Sequence, residues 1–404
     1  MQGFILNQIK YKYLYLLAII CFISRIIWIF FVAEHFPNAL GGVNWYLNPI
    51  EGPIPPGGYV SPDFNQVYDP NARMIADGYG FSNLDGTPTA YVAPGYSFMI
   101  SIIYSLFGIS IDYIRISHAF LDSITAILIY HISFTLFRAK KVAYLSSFFY
   151  IIFPPFIYQS GLLITETLFT FLIVLYFLIT FVTLTKYKKS LSMFFVCGAA
   201  LGLASMVRPN AIILISVFFI PIIFRNIGYF ISHKQLIFLI LGLSFIVGPW
   251  ILRNYLLFDQ FIPISSIIFN TVEDTTGSAL NIIDLLYKKF YVIFTDLDYL
   301  INFYLFAPFR IWAQTGSGTY DFYVGLVNYP IIILSFLGMH QAIKENKNLS
   351  IFTLISVLIF VIALIFFTKN SLTRYVVPIM PCIIIFSIYY VSKLLPKRFG
   401  MLHR

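Results

Sequence analysis

Ten apolar windows, each about 16 to 24 residues long and so able to cross or nearly cross a bilayer, recur along the chain. They lie near residues 13–33, 113–136, 142–160, 164–184, 191–207, 210–224, 235–252, 323–339, 350–367 and 375–393. The balance of the remaining residues agrees: 59% are hydrophobic, only 11% are charged, and mean hydropathy is +0.84. A soluble domain with so little polar surface could not cover its core, whereas a bilayer supplies the missing apolar solvent. The expected fold class is therefore an all-α polytopic membrane protein with about ten transmembrane helices. Residues 1–404 read as a single membrane-embedded domain.

The net charge of +9 does not point to nucleic acid, because its carriers sit in short connectors between apolar spans. Lys10 and Lys12, the connectors Arg138–Lys141, Lys186–Lys189, Arg225–Lys234 and Lys344–Lys347, and the tail Lys393–Arg404 hold 16 of the 26 Lys and Arg. One acid, Glu345, accompanies them. That bias assigns these segments, and both termini, to the cytoplasm. The N-terminal run has no small-residue cleavage site and reads as a retained signal anchor. Cys21, Cys197 and Cys382 each fall inside an apolar span, which argues against a disulfide framework or a thiolate metal site.

Sidedness also disposes of one ambiguous stretch. Lys10 and Arg138–Lys141 can share a side only if an even number of crossings separates them. Gly95–Gly108, at about 14 residues too short for a comfortable span, is therefore expected to lie on the membrane as an interfacial helix. The outer face then receives two large loops, 34–112 with its juxtamembrane helices and 253–322, besides the shorter 159–166, 208–210 and 368–374. Fifteen of the 17 acids lie in or at the edges of these segments. Residues 285–312, rich in Phe and Tyr, are expected to be interfacial too.

The first loop is the long polar interruption in this chain, and it carries Asp63, Asp69, Asp77 and Asp85 among repeated Gly and Pro. A carboxylate held at a membrane surface can act as general base toward a hydroxyl or amine. Such acids also solvate a loop and cap its helices, as Asp69 would ahead of Asn71–Ala76. Glu166 lies in the first turn of an apolar helix, where a charge needs a cavity, a partner or the helix dipole. Arg208, Arg253 and Arg374 recur at outer helix ends. Each can anchor its helix by snorkelling, and together they would suit a lipid phosphate through their planar forks. Arg25 and Asp122, both inside spans, call for buried polar partners. His118 reads as a packing residue. No HxxxH or CxxC spacing occurs, though two loop carboxylates could hold a divalent cation such as magnesium or manganese.

Four segments in this order carry a resemblance. The first is YDPNARMIADGYGFS followed by PTAYVAPGYSFMISIIYSLFG; then come FPPFIYQSGLLITETLF, GLASMVRPNAIIL and PWILRNYLLFDQFIPIS, with RYVVPIMP near the C-terminus. The chain resembles the GT-C superfamily of membrane glycosyltransferases, in the branch of protein O-mannosyltransferases and lipid A aminoarabinose transferases. The likeness runs loosely over residues 13–393. It implies a catalytic Asp in the first outer loop, which by position is Asp63, with Asp69 second. The spacing of Asp63 from Tyr68 is longer than in the family, and a Pro- and Gly-rich insertion, Gly41–Gly58, precedes it. Glu166 matches the acid of the second loop.

What the resemblance implies is inverting transfer of a sugar from a polyprenyl-phosphate carrier, such as undecaprenyl phosphate, to a protein, glycan or lipid acceptor. Asp63 would deprotonate the acceptor, and Arg253 and Arg374 would stabilise the leaving phosphate. The implied location is the inner or plasma membrane of a bacterium, with the site on the outer face. Two other classes compete. A transporter or lipid flippase would show internal pseudo-symmetry and polar residues at mid-membrane. An O-antigen polymerase or ligase would carry its large loop late in the sequence.

Overall fold

A computed structural model of the chain describes residues 2–32, 63–223, 231–266, 310–313, 321–345, 348–367 and 373–394. The insertion Gly41–Gly58 and nearly all of 267–320 lie outside the described residues, so the expected interfacial character of 285–312 falls there too. Among the described residues thirteen α-helices follow one another. They are α1 (Gln2–Ile27, continued by a π turn, Trp28–Val32), α2 (Asp69–Ala76), α3 (Gly95–Phe107), α4 (Ile111–Phe137) and α5 (Lys140–Ile152). Then come α6 (Pro154–Gly161), α7 (Glu166–Lys186), α8 (Leu191–Val207), the short α9 (Ile220–Ile223) and α10 (His233–Phe258). The last are α11 (Asp321–Lys344), α12 (Asn348–Phe367) and α13 (Met380–Leu394). Among the described residues there is no strand, only an isolated bridge between Ser82 and Pro88.

The protein is an integral, multi-pass membrane protein, and among the described residues not every one of its ten apolar windows becomes a full-length straight helix. Among the described residues seven helices are long and apolar enough to cross, or eight if the pair α5–α6 counts as one span bent by 50°. The bend follows from Pro154 and Pro155: Phe153 before them is extended (φ −72°, ψ 117°), as a residue preceding proline must be. The windows at 191–207 and 210–224 fall short for the same reason. Pro209 ends α8 at 17 residues, and the chain continues as a tight 3-10 run, Pro209–Phe218. Gly95–Phe107 is a short helix: its 13 residues span only about 20 Å, well short of the hydrocarbon core.

Close packing holds the spans together where lipid offers no hydrophobic drive between helices. α8 and α10 touch through Gly198, Gly202 and Gly242. A Cβ built on Gly198 would stand 1.9 Å from the carbonyl oxygen of Leu239, and one on Gly242 would stand 1.9 Å from that of Phe195. Only a bare Cα permits that approach. Between α1, α4 and α5 the contact is ionic. Arg25 Nε donates to Asp122 Oδ2 at 2.8 Å, Arg25 Nη1 to the Ile151 carbonyl at 2.7 Å, and Tyr150 Oη to Asp122 Oδ1 at 2.8 Å. Both charges are buried, so deleting one alone would cost about 3–5 kcal/mol. The partners missing from the sequence reading of Arg25 and Asp122 are thus each other.

Candidate functional site

The site is built on a platform made by α2 and α3. The chain enters it through Asp63 and a π turn, Phe64–Tyr68, and Pro70 then sets the first turn of α2. α2 is fastened to α3 by a carboxylate: Asp69 accepts from Tyr104 Oη at 2.5 Å and from Arg73 Nε at 2.8 Å. Two turns earlier on α3, Ser97 Oγ donates to the Tyr68 carbonyl at 3.2 Å, and the Tyr96 ring meets Tyr68 edge-on at 5.1 Å. Tyr96 Oη in turn lies 3.2 Å from His118 Nε2 on α4, which gives the histidine the packing role expected of it. The N-terminus of α3 can approach α8 because residue 95 is glycine. A Cβ there would lie 2.7 Å from the Met206 carbonyl oxygen.

Opposite the platform, α7 begins with Glu166, an acid at the positive end of a helix dipole. Its partner is Arg208. Because Pro209 follows, Arg208 is forced into extended backbone (φ −139°, ψ 115°), which turns its side chain off the axis of α8. Arg208 Nη2 donates to Glu166 Oε1 at 2.6 Å, and Arg208 Nε donates to Thr165 Oγ1 at 2.7 Å. The Glu166 carboxylate is fully buried, while Arg208 keeps 16% of its side chain exposed. The Arg208 guanidinium lies 5.8 Å from the ring centre of Phe169 and 5.4 Å from that of Tyr375. Arg374 uses the same tyrosine: its guanidinium is 4.8 Å from the ring centre, and Nη2 donates to Tyr375 Oη at 2.9 Å.

These charges converge on Tyr68. Burial pushes the Tyr68 phenol well above its ordinary value; Arg208 pulls it down, Asp63 and Glu166 push it up, and Arg374 again lowers it. Four of the six side chains singled out from the sequence therefore act electrostatically on one tyrosine. Asp63 itself is exposed and, among the described residues, has no hydrogen bond or ion pair. Tyr68, Tyr375 and Thr165 escaped the sequence reading. Only the position of Tyr68 within the first-loop motif hinted at a role.

Asp69 and Arg253 are engaged elsewhere. Both oxygens of Asp69 hold α2 in place. Arg253, near the end of α10, donates from Nη2 to the Phe81 carbonyl at 2.7 Å and from Nη1 to the Thr89 carbonyl at 2.8 Å. Its guanidinium also covers the Trp250 ring at 4.6 Å. Among the described residues no three His, Cys, Asp or Glu side chains come together to hold a metal cation, and Asp69 is already bonded.

A helical membrane domain with its acids and arginines gathered at a first-loop platform now has counterparts. The chain superposes on ArnT from Cupriavidus metallidurans in the apo state with a TM-score of 0.57 at 15% identity, over 84% of this chain and 57% of that one. The fold is GT-C. The undecaprenyl phosphate-bound ArnT superposes with a TM-score of 0.53 at 13% identity, over 84% of this chain and 57% of that one. The archaeal oligosaccharyltransferase AglB from Archaeoglobus fulgidus, in complex with an inhibitory peptide and a dolichol-phosphate, gives 0.53 at 13% identity, over 98% of this chain and 51% of that one. The chain thus spans little more than half the length of these GT-C structures. A family model described as dolichyl-phosphate-mannose-protein mannosyltransferase matches residues 91–252. No curated protein matches the chain significantly.

Proposed function

We propose that the chain is an inverting glycosyltransferase that moves a sugar from a polyprenyl-phosphate carrier to an acceptor at the outer membrane face. One arrangement carries this reading: Arg208, braced by Glu166, and Arg374 flank the Tyr375 ring at 5.4 and 4.8 Å, and with the exposed Asp63 carboxylate they act electrostatically on Tyr68. A base and an anion binder side by side are what substitution at an anomeric carbon with a phosphate leaving group requires. The carrier bound in the ArnT structure and the dolichol-phosphate bound by AglB support the donor class.

In this mechanism the acceptor hydroxyl or amine gives its proton to Asp63. Its freed electron pair forms the new bond to the anomeric carbon. The bond from that carbon to the phosphate oxygen breaks on the opposite face, and the electron pair departs with the polyprenyl phosphate. Configuration inverts. Arg208 and Arg374 meet the growing phosphate charge, and Glu166 acts through Arg208 by fixing its fork. A protein, glycan or lipid acceptor meets this chemistry equally. With the basic connectors read as cytoplasmic, the site faces the outer side, where the carrier keeps its tail in the bilayer and its sugar at the surface. Holding both reactants there removes much of the orientational cost.

The test is the pool of polyprenyl-phosphate sugars in cells lacking the protein, complemented at matched expression with wild type, Asp63→Asn, Asp69→Asn or Glu166→Gln. One lipid-linked sugar should accumulate in the null strain and clear with wild type but not with Asp63→Asn. An unchanged pool, with no other enzyme using the same donor, would overturn the reading. Rescue by Asp63→Asn would move the base to another residue.

A further inference from the structure

The segment between α2 and α3, residues 77–94, packs Phe81 and Val92 into a cluster that Tyr68 joins. It doubles back at Asn83–Thr87, where Asn83 N donates to the Thr87 carbonyl at 2.9 Å. It is tied to the far side of the fold at three places. Arg253 binds the Phe81 and Thr89 carbonyls, and Ser266 N donates to the Ala90 carbonyl at 2.8 Å. Under these ties Phe81 meets Trp250 edge-on at 5.1 Å, and Trp250 Nε1 donates to the Ile264 carbonyl at 2.7 Å. Phe81, Val92 and Trp250 form a small buried cluster of their own, and the side chains packed against it are Val67, Tyr68, Ile75 and Met206.

We infer that Arg253 is a positioning residue: by clamping the two carbonyls of this first-loop segment it presses Phe81 and Trp250 onto Tyr68 and so sets where the Asp63 turn stands. The guanidinium suits the task because its fork reaches two acceptors at once while its face covers Trp250. Lysine has one ammonium and no plane, so it cannot hold both carbonyls and the ring together. Nothing in this arrangement requires Arg253 to touch the donor. The inference rests on the transferase reading for its kinetic consequence only, since the clamp itself is a matter of loop geometry.

The test uses the full-length protein in detergent or nanodiscs, with Arg253→Lys and Arg253→Gln, each retaining at least one donor. Two quantities are read: hydrogen exchange at the amides of residues 79–92, and kcat and KM with a lipid-linked sugar donor. The expected result is faster exchange confined to that segment, kcat lowered about tenfold or more by the displaced base, and donor KM within about twofold of wild type. Arg253→Lys should recover part of both effects relative to Arg253→Gln. Unchanged exchange with a raised donor KM would overturn the inference in favour of direct phosphate binding. Faster exchange with unchanged kcat would also overturn it, leaving a purely structural tie. Should wild type itself fail to turn over, the transferase reading falls while the exchange arm still decides whether the clamp exists.

Discussion

Arg208 and Arg374 share one aromatic ring: their guanidiniums lie 5.4 and 4.8 Å from the centre of Tyr375. Two cations placed beside one ring repel each other. An anion bridging the pair relieves that repulsion. Arg374→Ala should therefore raise the donor KM about tenfold or more, in keeping with loss of a charge-assisted bond, without lowering the yield of folded protein. Steady-state kinetics against a lipid-phosphate sugar would check it, and an unchanged KM would remove Arg374 from the donor site.

The two first-loop aspartates should separate cleanly. Asp63 is exposed and makes no bond among the described residues, so Asp63→Asn should cost about 10²–10⁴ in kcat and almost nothing in thermal stability. Asp69→Asn breaks the fastening to Tyr104 and Arg73 and should lower stability by about 1–3 kcal/mol. Melting curves alongside turnover distinguish the pair. Loss of stability in Asp63→Asn would mean that the carboxylate is structural.

Glu166 and Arg208 form a coupled pair. Glu166→Ala strands a partly buried cation and should destabilise by about 3–5 kcal/mol. Removing both charges, as Glu166→Leu with Arg208→Met, should restore most of that stability and none of the activity. A double-mutant cycle on thermal unfolding measures the coupling. Additive losses would show that the ion pair contributes little.

The contact between α8 and α10 leaves no room for a methyl group. Gly242→Ala should reduce stability by at least about 1–3 kcal/mol, because the new carbon meets backbone and no flexible side-chain end can yield. Gly248→Ala on the same helix, with open space around it, serves as the control and should behave as wild type in detergent melting.

At the opposite ends of α11 and α13, Glu345 pairs with Lys393 at 2.9 Å and accepts from Gln341 at 3.0 Å and from Tyr389. Burial pushes its carboxyl up, but the bonds from Tyr389, Lys393 and Gln341 outweigh that and hold it at about 2, against an ordinary 4.5. A depressed folded value contributes stability above pH 4.5 that fades as pH falls toward 2. The advantage of wild type over Glu345→Gln should shrink across that window. A constant difference from pH 6 to 2 would show that the bonds do not depend on ionisation.

The spans were readable because hydropathy is a property of each window alone, and the shortness of α3 was readable from its apolar run. The breaks were not: Pro209 and the Pro154–Pro155 pair shorten or bend helices whose composition still looks spanning. Glu166 stood out because a charge in an apolar run demands a partner, and Arg208 is that partner. Arg253 looked like an anion binder for a good local reason, its place at a helix end. What takes its donors is a pair of carbonyls 164 and 172 residues away, and no local pattern encodes a loop folding back that far. Tyr68 was hidden for the same reason, since its burial is supplied by Trp250 and Phe81.

The order of these residues along the chain also sets when the site can exist. Glu166 and Arg208 are only 42 residues apart and can neutralise each other as soon as α8 is inserted, so neither charge need wait unpaired in the nascent protein. Arg253 can clamp the first-loop segment once α10 has followed. Arg374 arrives later still, from the turn before α13. A ribosome-bound chain would thus carry a quiet precursor of the site, and competence to handle a lipid phosphate would come only once α13 is made. Synthesis itself would act as the timer.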